Sequence, residues 1–412
     1  MNFFINKNCR YVKGAKNAAI YDLKEEEVYA LNEVGKQTLD KFLNNENYVG
    51  TKDEIEFINN LFAINILSKV EHKENDNLIK PEISVRYAWL ELTSSCNLRC
   101  VHCYGTFGNK GICKNNTMTI SNWKTVIDNL IKLNCTEIQL IGGEPMAYHG
   151  FFEILEYAHK SGIKRIDVFT NATFINENNI KKLKENNASI RISLYGHESR
   201  VHEKVTGIKG SFEKTQNALK LLKNNNIPTS IAVIMMKENE EELLNIKKYI
   251  KNLGYADTGF DVIRPSCDNE KINNHKVSNI ELLKERYNIY PKFTITKKQF
   301  EMNHWYNSCW NSKLAITSNG DVLPCIFARD DIIGNIKSDN FKSIINNING
   351  KWLITKDKID VCRDCEFRYA CHDCRPIANA INKNLYSKYP RCCYNPYSGI
   401  WEDIEKCTKE LA

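Results

Sequence analysis

The feature that most constrains the fold of this sequence is a regular alternation of strands and helices between Tyr87 and Arg264. Six apolar segments of strand length are separated by amphipathic segments of helix length, and the strands are YAWLEL, EIQLI, RIDVFT, SIRISLY, TSIAVIMM and FDVIR. Strands that alternate with helices form a parallel sheet, because each helix returns the chain to the same end of the sheet. Eight such units close a full barrel. Six therefore predict an α/β fold with a partial, TIM-like (β/α)6 barrel, whose functional groups lie at the C-terminal ends of the strands.

The length of the chain indicates further domains on both sides of this barrel. The 412 residues exceed what one hydrophobic core usually holds, which favours two or three domains. Near the N-terminus, AAIYDL and EEVYAL are typical of strands, whereas VGKQTLDKFLNN and TKDEIEFINNLFAINIL are typical of amphipathic helices. This order favours a winged-helix module. We predict a winged-helix domain over 1–80, a partial barrel over 86–270, a bridging region over 271–308 and a cysteine-rich domain over 309–412.

Composition and charge narrow the classes of function. The net charge is +7, but the basic residues are scattered and form no stripe with interleaved aromatic residues, so we expect no nucleic-acid partner. No segment reaches the roughly 18 apolar residues of a membrane span. The N-terminal sequence lacks the apolar run and cleavage site of a secretion signal, which predicts a cytoplasmic protein with no membrane partner. Sixteen cysteines in such a protein indicate metal ligation or redox chemistry rather than disulfides.

Three of these cysteines follow directly on the first predicted strand, in the stretch CNLRCVHC. Cys96, Cys100 and Cys103 therefore belong to a loop at the C-terminal mouth of the barrel. A structural zinc site usually needs four protein ligands, and a four-iron cluster has four outer positions. Three cysteines on such a cluster leave one iron open to a small chelating molecule. A zinc knuckle is the alternative.

The next strands end in residues that suit a small polar ligand. The second strand leads into Gly142, Gly143, Glu144 and Pro145, where two glycines permit close backbone approach and Glu144 offers a carboxylate to an ammonium group. The third strand ends in Thr170 and Asn171, and the fourth ends in Ser193.

The cysteine spacing, with His102 at the usually aromatic position before the last cysteine, resembles the CxxxCxφC motif of radical S-adenosylmethionine (radical SAM) enzymes. The resemblance implies that a [4Fe–4S] cluster on the three cysteines binds S-adenosylmethionine and that the pair yields a 5′-deoxyadenosyl radical. It assigns cofactor binding to His102, Gly142, Gly143, Glu144, Pro145, Thr170, Asn171 and Ser193, and implies a flavodoxin or ferredoxin as electron donor. Two positions depart from peptide-modifying relatives, because Tyr195 and Val205 stand where those relatives often carry an acidic residue and an arginine.

The last quarter of the chain holds a second group of cysteines. AITSNGDVLPC predicts a hairpin that turns at Asn319-Gly320, and CRDCEFRYACHDC and RCCYNPYSG follow it. Each Cys-x-x-Cys pair alone fits zinc. The whole order resembles the SPASM domain, which holds two further [4Fe–4S] clusters, although the gap between Cys371 and Cys374 is shorter than in many members. The resemblance implies an outer cluster on Cys362, Cys365, Cys371 and Cys393, with Cys392 as the alternative to Cys393, and an inner cluster on Cys309, Cys325 and Cys374. The fourth inner position is open to substrate or is filled by Cys392, His304 or Cys267.

The segments VKGAKNAAIYDL, CEFRYACHDCRP and YNPYSG resemble peptide maturases of the grasp-with-spasm group. This resemblance implies that residues 1–80 bind the leader of a ribosomally made precursor peptide and that an ATP-grasp ligase acts beside the enzyme. We predict that the enzyme closes a thioether or carbon–carbon cross-link in that peptide. A sulfatase-type maturase that forms formylglycine and a non-catalytic zinc-binding protein are the alternatives. Cys267 is the candidate catalytic residue, and Arg264 is either a substrate clamp or a surface charge.

Overall fold

The structure, a computed structural model, describes residues 3–45, 47–71, 80–82, 84–105, 117–256, 259–264, 270–287 and 293–403. The chain divides into two compact units. The first contains residues 1–82, 288–311 and 352–411, and the second contains 83–287 and 312–351. In the described part of the chain, every helix is too short or too polar to cross a membrane.

The strands and helices have the following bounds. The strands are β1 (Phe4–Ile5), β2 (Cys9–Lys13), β3 (Ala18–Asp22), β4 (Glu27–Leu31), β5 (Leu67–Ser68), β6 (Tyr87–Glu91), β7 (Glu137–Ile141), β8 (Arg165–Thr170), β9 (Ala188–Ser193), β10 (Thr229–Met235), β11 (Phe260–Val262), β12 (Lys313–Ile316), β13 (Asp321–Leu323), β14 (Gly334–Asn335), β15 (Tyr394–Asn395) and β16 (Ile400–Trp401). The helices are α1 (Glu33–Asn44), α2 (Lys52–Ala63), α3 (Ile120–Lys132), α4 (Phe151–Lys160), α5 (Ile180–Glu185), α6 (Ser199–Thr206), α7 (Ser211–Asn224), α8 (Leu243–Asn252), α9 (Ile280–Tyr287), α10 (Lys297–Trp305), α11 (Phe341–Trp352) and α12 (Arg375–Asn382).

The second unit is built on a nine-stranded, mostly parallel sheet in the order β11-β10-β9-β8-β7-β6-β12-β13-β14. The six predicted parallel strands are all present, from β6 to β11, and each pairs with the next in parallel. The side chains of these strands are largely buried. Helix α3 is an example of a helix whose start is fixed by a capping residue. Thr119 Oγ1 caps its first turn by accepting a hydrogen bond from the Asn122 N–H, and the Asn122 side-chain oxygen accepts one from the Thr119 N–H. The prediction of an α/β fold of the partial-barrel type is therefore confirmed.

The sheet continues beyond the predicted strands on the β6 side. The predicted hairpin is confirmed as β12 and β13, and Gly320 at its turn has a φ of 92°. The sequence did not predict that β12 pairs in parallel with β6, with Lys313 opposite Tyr87, so that the hairpin extends the barrel sheet. Residues from the predicted cysteine-rich region therefore complete the second unit.

The first unit contains a three-stranded antiparallel sheet, β2-β3-β4, followed by α1 and α2. The predicted strands at β3 and β4 and the two predicted helices are present, while β1, β2 and β5 were not predicted. Every residue of β3 is buried, because one side packs against α1 and α2 and the other against a cluster of aromatic residues from the C-terminal part. That cluster includes Phe300, Phe367, Tyr369 and Tyr394. The N-terminal region thus shares a core with residues from the C-terminal tail.

Candidate functional site

A cavity at the C-terminal ends of the parallel strands gathers most of the residues predicted to bind cofactors. It lies within the second unit and has an empty volume of ≈ 1160 Å³, which is large enough for a small-molecule ligand. The predicted residues that line it are Cys96, Cys100, His102, Cys103, Gly142, Gly143, Thr170, Asn171 and Ser193. Residues that are far apart in the sequence therefore face one space, as the parallel topology predicts.

Hydrogen bonds from two sides fix the loop that carries the three cysteines. The backbone N–H groups of Arg99 and Val101 donate to the carbonyls of Thr206 (2.9 Å) and Val205 (3.0 Å) at the end of α6. On the other side, the Asn97 side chain donates to Thr173 Oγ1 at 2.8 Å. Val205, which stands where relatives often carry an arginine, is fully buried and holds this loop through its backbone.

The two glycines after β7 hold the start of the same loop. The Gly143 N–H donates to the Thr93 carbonyl at 2.7 Å, and the Glu144 N–H donates to the Ser95 carbonyl at 2.9 Å. A Cβ atom on Gly142 would lie 2.5 Å from the Thr93 oxygen, and one on Gly143 would clash with the Ser95 carbonyl. The glycines are therefore required where the turn packs against the chain that leads into Cys96.

Glu144 is fully buried below this cavity and does not line it. Its carboxylate accepts hydrogen bonds from Thr170 Oγ1 (2.7 Å), the Asn171 N–H (2.8 Å) and the Met146 N–H (3.1 Å). Burial raises the pKa of Glu144 to about 7, although these hydrogen bonds act in the opposite direction. The side chain thus ties the end of β7 to the end of β8. Pro145, also buried, begins the short helical turn Pro145–Ala147.

Asn171 connects the end of β8 to the cysteine loop. Its Nδ2 donates to Asn97 Oδ1 at 3.0 Å and lies 4.0 Å from the Cys96 sulfur. Ser193 lies at the end of β9 and is half-buried at the cavity wall. The Asn171 amide therefore lies beside the first cysteine, and the Ser193 hydroxyl lies at the wall of the same cavity, where a polar ligand would meet them.

His102 and Tyr195 form an aromatic wall of the cavity. Their rings meet edge to face with centroids 4.8 Å apart. Burial, with a smaller contribution from the charge of His275, lowers the pKa of His102 to about 4, so the imidazole is neutral at physiological pH. Tyr195 stands where relatives often carry an acidic residue, and at this position the chain supplies an aromatic surface instead.

The chemistry of the three thiols fits a positively charged iron–sulfur core. Burial raises the pKa of Cys96 to about 11 and that of Cys100 well above its ordinary value, and the neighbouring thiols add to both shifts. A bound metal core compensates this cost, because only thiolates ligate it. Among the described residues, no three His, Cys, Asp or Glu side chains converge on a single metal-ion position. A cubane attaches each thiolate to a different iron and requires only that the three face one cavity.

The sequence interpretation missed several residues of this cavity. Tyr104, Asp261, Ile326 and Phe327 line it, and Phe327 stacks under the Arg264 guanidinium at 4.4 Å. Arg264 also pairs with Asp261 at 3.3 Å, so it belongs to the cavity wall and not to the outer surface. The sequence signal for Ile326 and Phe327 was their position directly after Cys325, a predicted cluster ligand. Cys267, the candidate catalytic residue, lies outside the described residues.

A second group of thiols lies in the first unit. Burial raises the pKa of Cys362, Cys365 and Cys371, and the thiol of Cys392 raises the pKa of all three. Cys365 and Cys392 also pack against the same aromatic cluster. Cys393, the ligand predicted from the sequence, is fully buried and directly precedes Tyr394 of β15. These surroundings favour Cys392 as the fourth member of the group.

The cysteines predicted for the inner cluster belong to both units. Cys309 and Cys374 lie in the first unit and Cys325 in the second. Asn307 Oδ1 accepts hydrogen bonds from the backbone N–H groups of Cys309 (2.9 Å) and Trp310 (3.0 Å), and Cys374 directly precedes α12. His304 packs against Tyr369 in the first unit. The inner ligand set remains a prediction.

Comparison with known proteins identifies the class of this chain. Residues 90–250 match the model of the radical SAM superfamily, and residues 309–366 match that of the SPASM iron–sulfur cluster-binding domain. The chain is therefore a radical SAM enzyme. Its radical SAM domain uses S-adenosylmethionine and a [4Fe–4S] cluster, and its SPASM domain binds further iron–sulfur clusters. This result excludes the non-catalytic zinc-binding alternative.

Two relatives illustrate the range of this group. The antilisterial bacteriocin subtilosin biosynthesis protein AlbA of Bacillus subtilis is 26% identical, and the match covers 75% of this chain and 70% of AlbA. The AdoMet-dependent heme synthase of Methanosarcina barkeri is 27% identical, with 75% and 96% covered.

Two solved structures share the fold. The structure of anSMEcpe with bound AdoMet has a TM-score of 0.58 and 18% identity, and the match covers 78% of this chain and 96% of that one. Streptococcus suis SuiB bound to the precursor peptide SuiA has a TM-score of 0.52 and 13% identity, with 98% and 99% covered.

Proposed function

We propose that this enzyme modifies a ribosomally made precursor peptide and closes a thioether or carbon–carbon cross-link in it. The observation that carries the proposal is the single cavity shared by Cys96, Cys100, Cys103, the Gly142-Gly143 turn and the polar ends of β8 and β9. When bound there, the cluster and S-adenosylmethionine supply a 5′-deoxyadenosyl radical, which removes a hydrogen atom from the substrate.

The residues of the cavity have distinct tasks in this proposal. The three cysteines would hold the cluster, and the backbone at Gly142 and Gly143 would contact the methionine part of S-adenosylmethionine. Asn171 and Ser193 offer hydrogen bonds to its polar groups. The neutral His102 ring and the surrounding apolar side chains exclude water, which protects a reactive carbon radical from side reactions.

We propose that residues 1–80 are a winged-helix module that binds the leader of the precursor. The outer edge of β4 pairs, among the described residues, only at Glu27, which bridges to Thr294. An extended peptide can add to the rest of this edge as a further strand. A groove of ≈ 1140 Å³ empty volume lies beside it, which we call the α1 groove, and it is lined by Leu31, Val34, Phe57, Phe367, Tyr394 and Trp401 among others. SuiB, whose fold the chain shares almost from end to end, is a protein that has been seen with its precursor peptide.

Val34 provides a direct test of the leader site. Its side chain is 69% exposed at the start of α1 and lines the α1 groove, whereas Val49 is 88% exposed in the same unit and does not. A bound leader would cover Val34, so we expect Val34→Glu to weaken leader-peptide binding roughly tenfold and Val49→Glu to leave it unchanged. Equal affinities for the two variants, measured by isothermal titration calorimetry, would place the leader elsewhere.

The type of product follows from the balance of electrons. Joining a thiol sulfur to a carbon, or two carbons, removes two hydrogen atoms from the peptide, one as an atom to the deoxyadenosyl radical and one as a proton and an electron. The SPASM clusters are the acceptors that we propose for this electron. Epimerisation involves no net oxidation and leaves such clusters without a role. We further propose a flavodoxin or ferredoxin as the initial electron donor and an ATP-grasp ligase that acts on the same precursor.

Anaerobic reconstitution tests this function. The loaded enzyme, S-adenosylmethionine and a reductant are incubated with a leader-bearing peptide encoded near the gene, and the products are analysed by mass spectrometry. We expect 5′-deoxyadenosine together with a peptide that has lost two hydrogen atoms for each cross-link. Formation of 5′-deoxyadenosine with an unchanged peptide would contradict the proposal. A formylglycine product would point to the sulfatase-type alternative.

A further inference from the structure

Lys356 is a lysine placed inside the first unit, next to the cysteines of its thiol group. Its side chain is 5% exposed, and its Nζ lies 4.0 Å from the Cys362 sulfur. A lysine is seldom buried unless negative charge lies close to it. Negatively charged groups close to the ammonium group are therefore expected.

The carboxylate nearest to Lys356 is shared with a second cation. Lys356 Nζ lies 3.4 Å from Asp373 Oδ1, and the same oxygen accepts a hydrogen bond from Arg375 Nη2 at 2.5 Å. Arg375 is fully buried and also donates to the carbonyls of Leu385 (2.8 Å) and Ser387 (2.7 Å). Asp373 is fixed in turn by the Asn307 side chain, which donates to its Oδ2 at 2.9 Å.

This network contains more positive than negative charge. Two cations, Lys356 and Arg375, share the single carboxylate of Asp373, and Arg375 has the closer contact. Excess buried charge is costly unless another group offsets it. The group in contact with Lys356 is the Cys362 sulfur, which belongs with Cys365, Cys371 and Cys392.

We propose that Lys356 is the charge-compensating residue of the iron–sulfur cluster held by Cys362, Cys365, Cys371 and Cys392, and that its ammonium group raises the reduction potential of that cluster. Four thiolates around a cubane core give a net charge of about −2, which becomes more negative on reduction. A fixed positive charge beside one of the sulfurs stabilises the reduced state more than the oxidised state. Lys356 thereby makes this cluster a better electron acceptor. The inference rests on the iron–sulfur assignment of the SPASM domain and not on the identity of the peptide product.

The test measures a potential in the full-length protein. Cys96, Cys100 and Cys103 are replaced by alanine, so that signals from the radical SAM cluster are removed. The signal of interest is the one that Cys392→Ala abolishes in this background. Its midpoint potential is then measured by a redox titration followed by electron paramagnetic resonance for Lys356→Met, Lys356→Arg and Lys358→Met. Lys358 lies in the same short helical turn, Lys356–Lys358, but is exposed, which makes it a matched control.

We expect Lys356→Met to lower the midpoint potential, Lys356→Arg to restore most of the difference and Lys358→Met to leave it unchanged. Loss of the cluster in Lys356→Met together with its retention in Lys356→Arg would equally support a role of the charge. The proposal is overturned if Lys356→Met has the potential of Lys358→Met or a higher one. It is also overturned if Lys356→Met and Lys356→Arg lose the cluster alike, because the arginine keeps the charge. The midpoint potential and the iron content are both measured without any peptide, so failure here is separate from failure of the proposed function.

Discussion

Cys392 and Cys393 are neighbours in the sequence but have different surroundings in the fold. Cys393 is 1% exposed and its carbonyl accepts a hydrogen bond from the Glu402 N–H at 2.8 Å, whereas the Cys392 thiol lies among the other cysteines of the first unit. The direction of each cysteine side chain depends on the conformation of the turn before β15. Packing against residues that are distant in the sequence determines that conformation. The sequence identified the pair, and which of the two ligates the cluster stays a prediction.

This difference gives a prediction for iron content. We expect Cys392→Ala to lose about four irons per chain relative to the wild type after anaerobic reconstitution, because one cluster loses a ligand. Cys393→Ala removes a buried side chain and is expected to reduce stability while it keeps the irons. Iron and sulfide analysis of both variants, side by side, measures this. The reverse pattern would show that Cys393 is the ligand.

Glu144 gives a prediction for the pH dependence of stability. Its pKa in the folded state, about 7, lies above the ordinary value of 4.5, so the folded chain holds its proton more tightly than the unfolded chain does. The resulting contribution to stability is complete below about pH 4.5 and is lost as the pH rises through 7. Over this range the free energy of unfolding of the wild type is expected to fall, relative to Glu144→Gln, by on the order of 3 kcal/mol.

Urea unfolding at a series of pH values measures this difference. Glu213→Gln, at an exposed position of α7, is the matched control and should follow the wild type at every pH. If the wild type and Glu144→Gln keep a constant difference between pH 4.5 and 8, Glu144 does not titrate in this range.

At the scale of elements, the strands and helices of the barrel were predictable because each has its own local pattern. Apolar residues at strand spacing gave β6 to β11, and the Asn319-Gly320 turn gave the hairpin of β12 and β13. The pairing of β12 with β6 was not predictable, because nothing in either segment specifies a partner more than two hundred residues away. For the same reason, the sequence did not predict that Ile326 and Phe327 line the cavity.

The turn after β7 gives a prediction at this scale. Gly143→Ala would bring a methyl group against the Ser95 carbonyl and within 3.0 Å of the Cys96 Cβ, so the cysteine loop would have to shift. We expect a loss of roughly 1–3 kcal/mol in the free energy of unfolding and a lower iron content. Gly350→Ala is the control, since a Cβ atom there meets nothing within 4 Å and its position in α11 favours alanine by about 0.5–1 kcal/mol. A Gly143→Ala variant with normal stability and iron content would show that the turn has room.

At the scale of the whole molecule, the two compact units do not follow the order of the sequence. The first unit combines residues 1–82 with segments from the last third of the chain, and the second takes 312–351 from the predicted cysteine-rich region. The boundaries that we predicted, 1–80, 86–270, 271–308 and 309–412, come from changes in local pattern. Such changes do not report which distant segments share a core.

Truncation tests this organisation. A fragment of residues 84–287 contains all six strands from β6 to β11 but lacks β12, so the edge of β6 is unpaired and its apolar residues Ala88 and Leu90 lose cover. Exposed apolar edges promote association. We expect this fragment to aggregate during size-exclusion chromatography, and we expect a fragment in which residues 84–287 are joined by a short glycine–serine linker to residues 312–351 to remain monomeric. If both fragments are monomeric and have equal urea midpoints, β12 is not needed to cover the edge of β6.

The pairing of β12 with β6 also has a consequence for the order in which the sheet forms during synthesis of the chain. Lys313 and Tyr87 are opposite each other in the sheet and 226 positions apart in the chain, as 313 minus 87 shows. At a synthesis rate of about 5–20 residues per second, β6 leaves the ribosome roughly ten seconds or more before its neighbour exists. The cysteine loop directly follows β6, and the outer edge of β6 is paired only when this late strand has been made. We therefore expect stable iron–sulfur loading of the loop to follow the synthesis of β12.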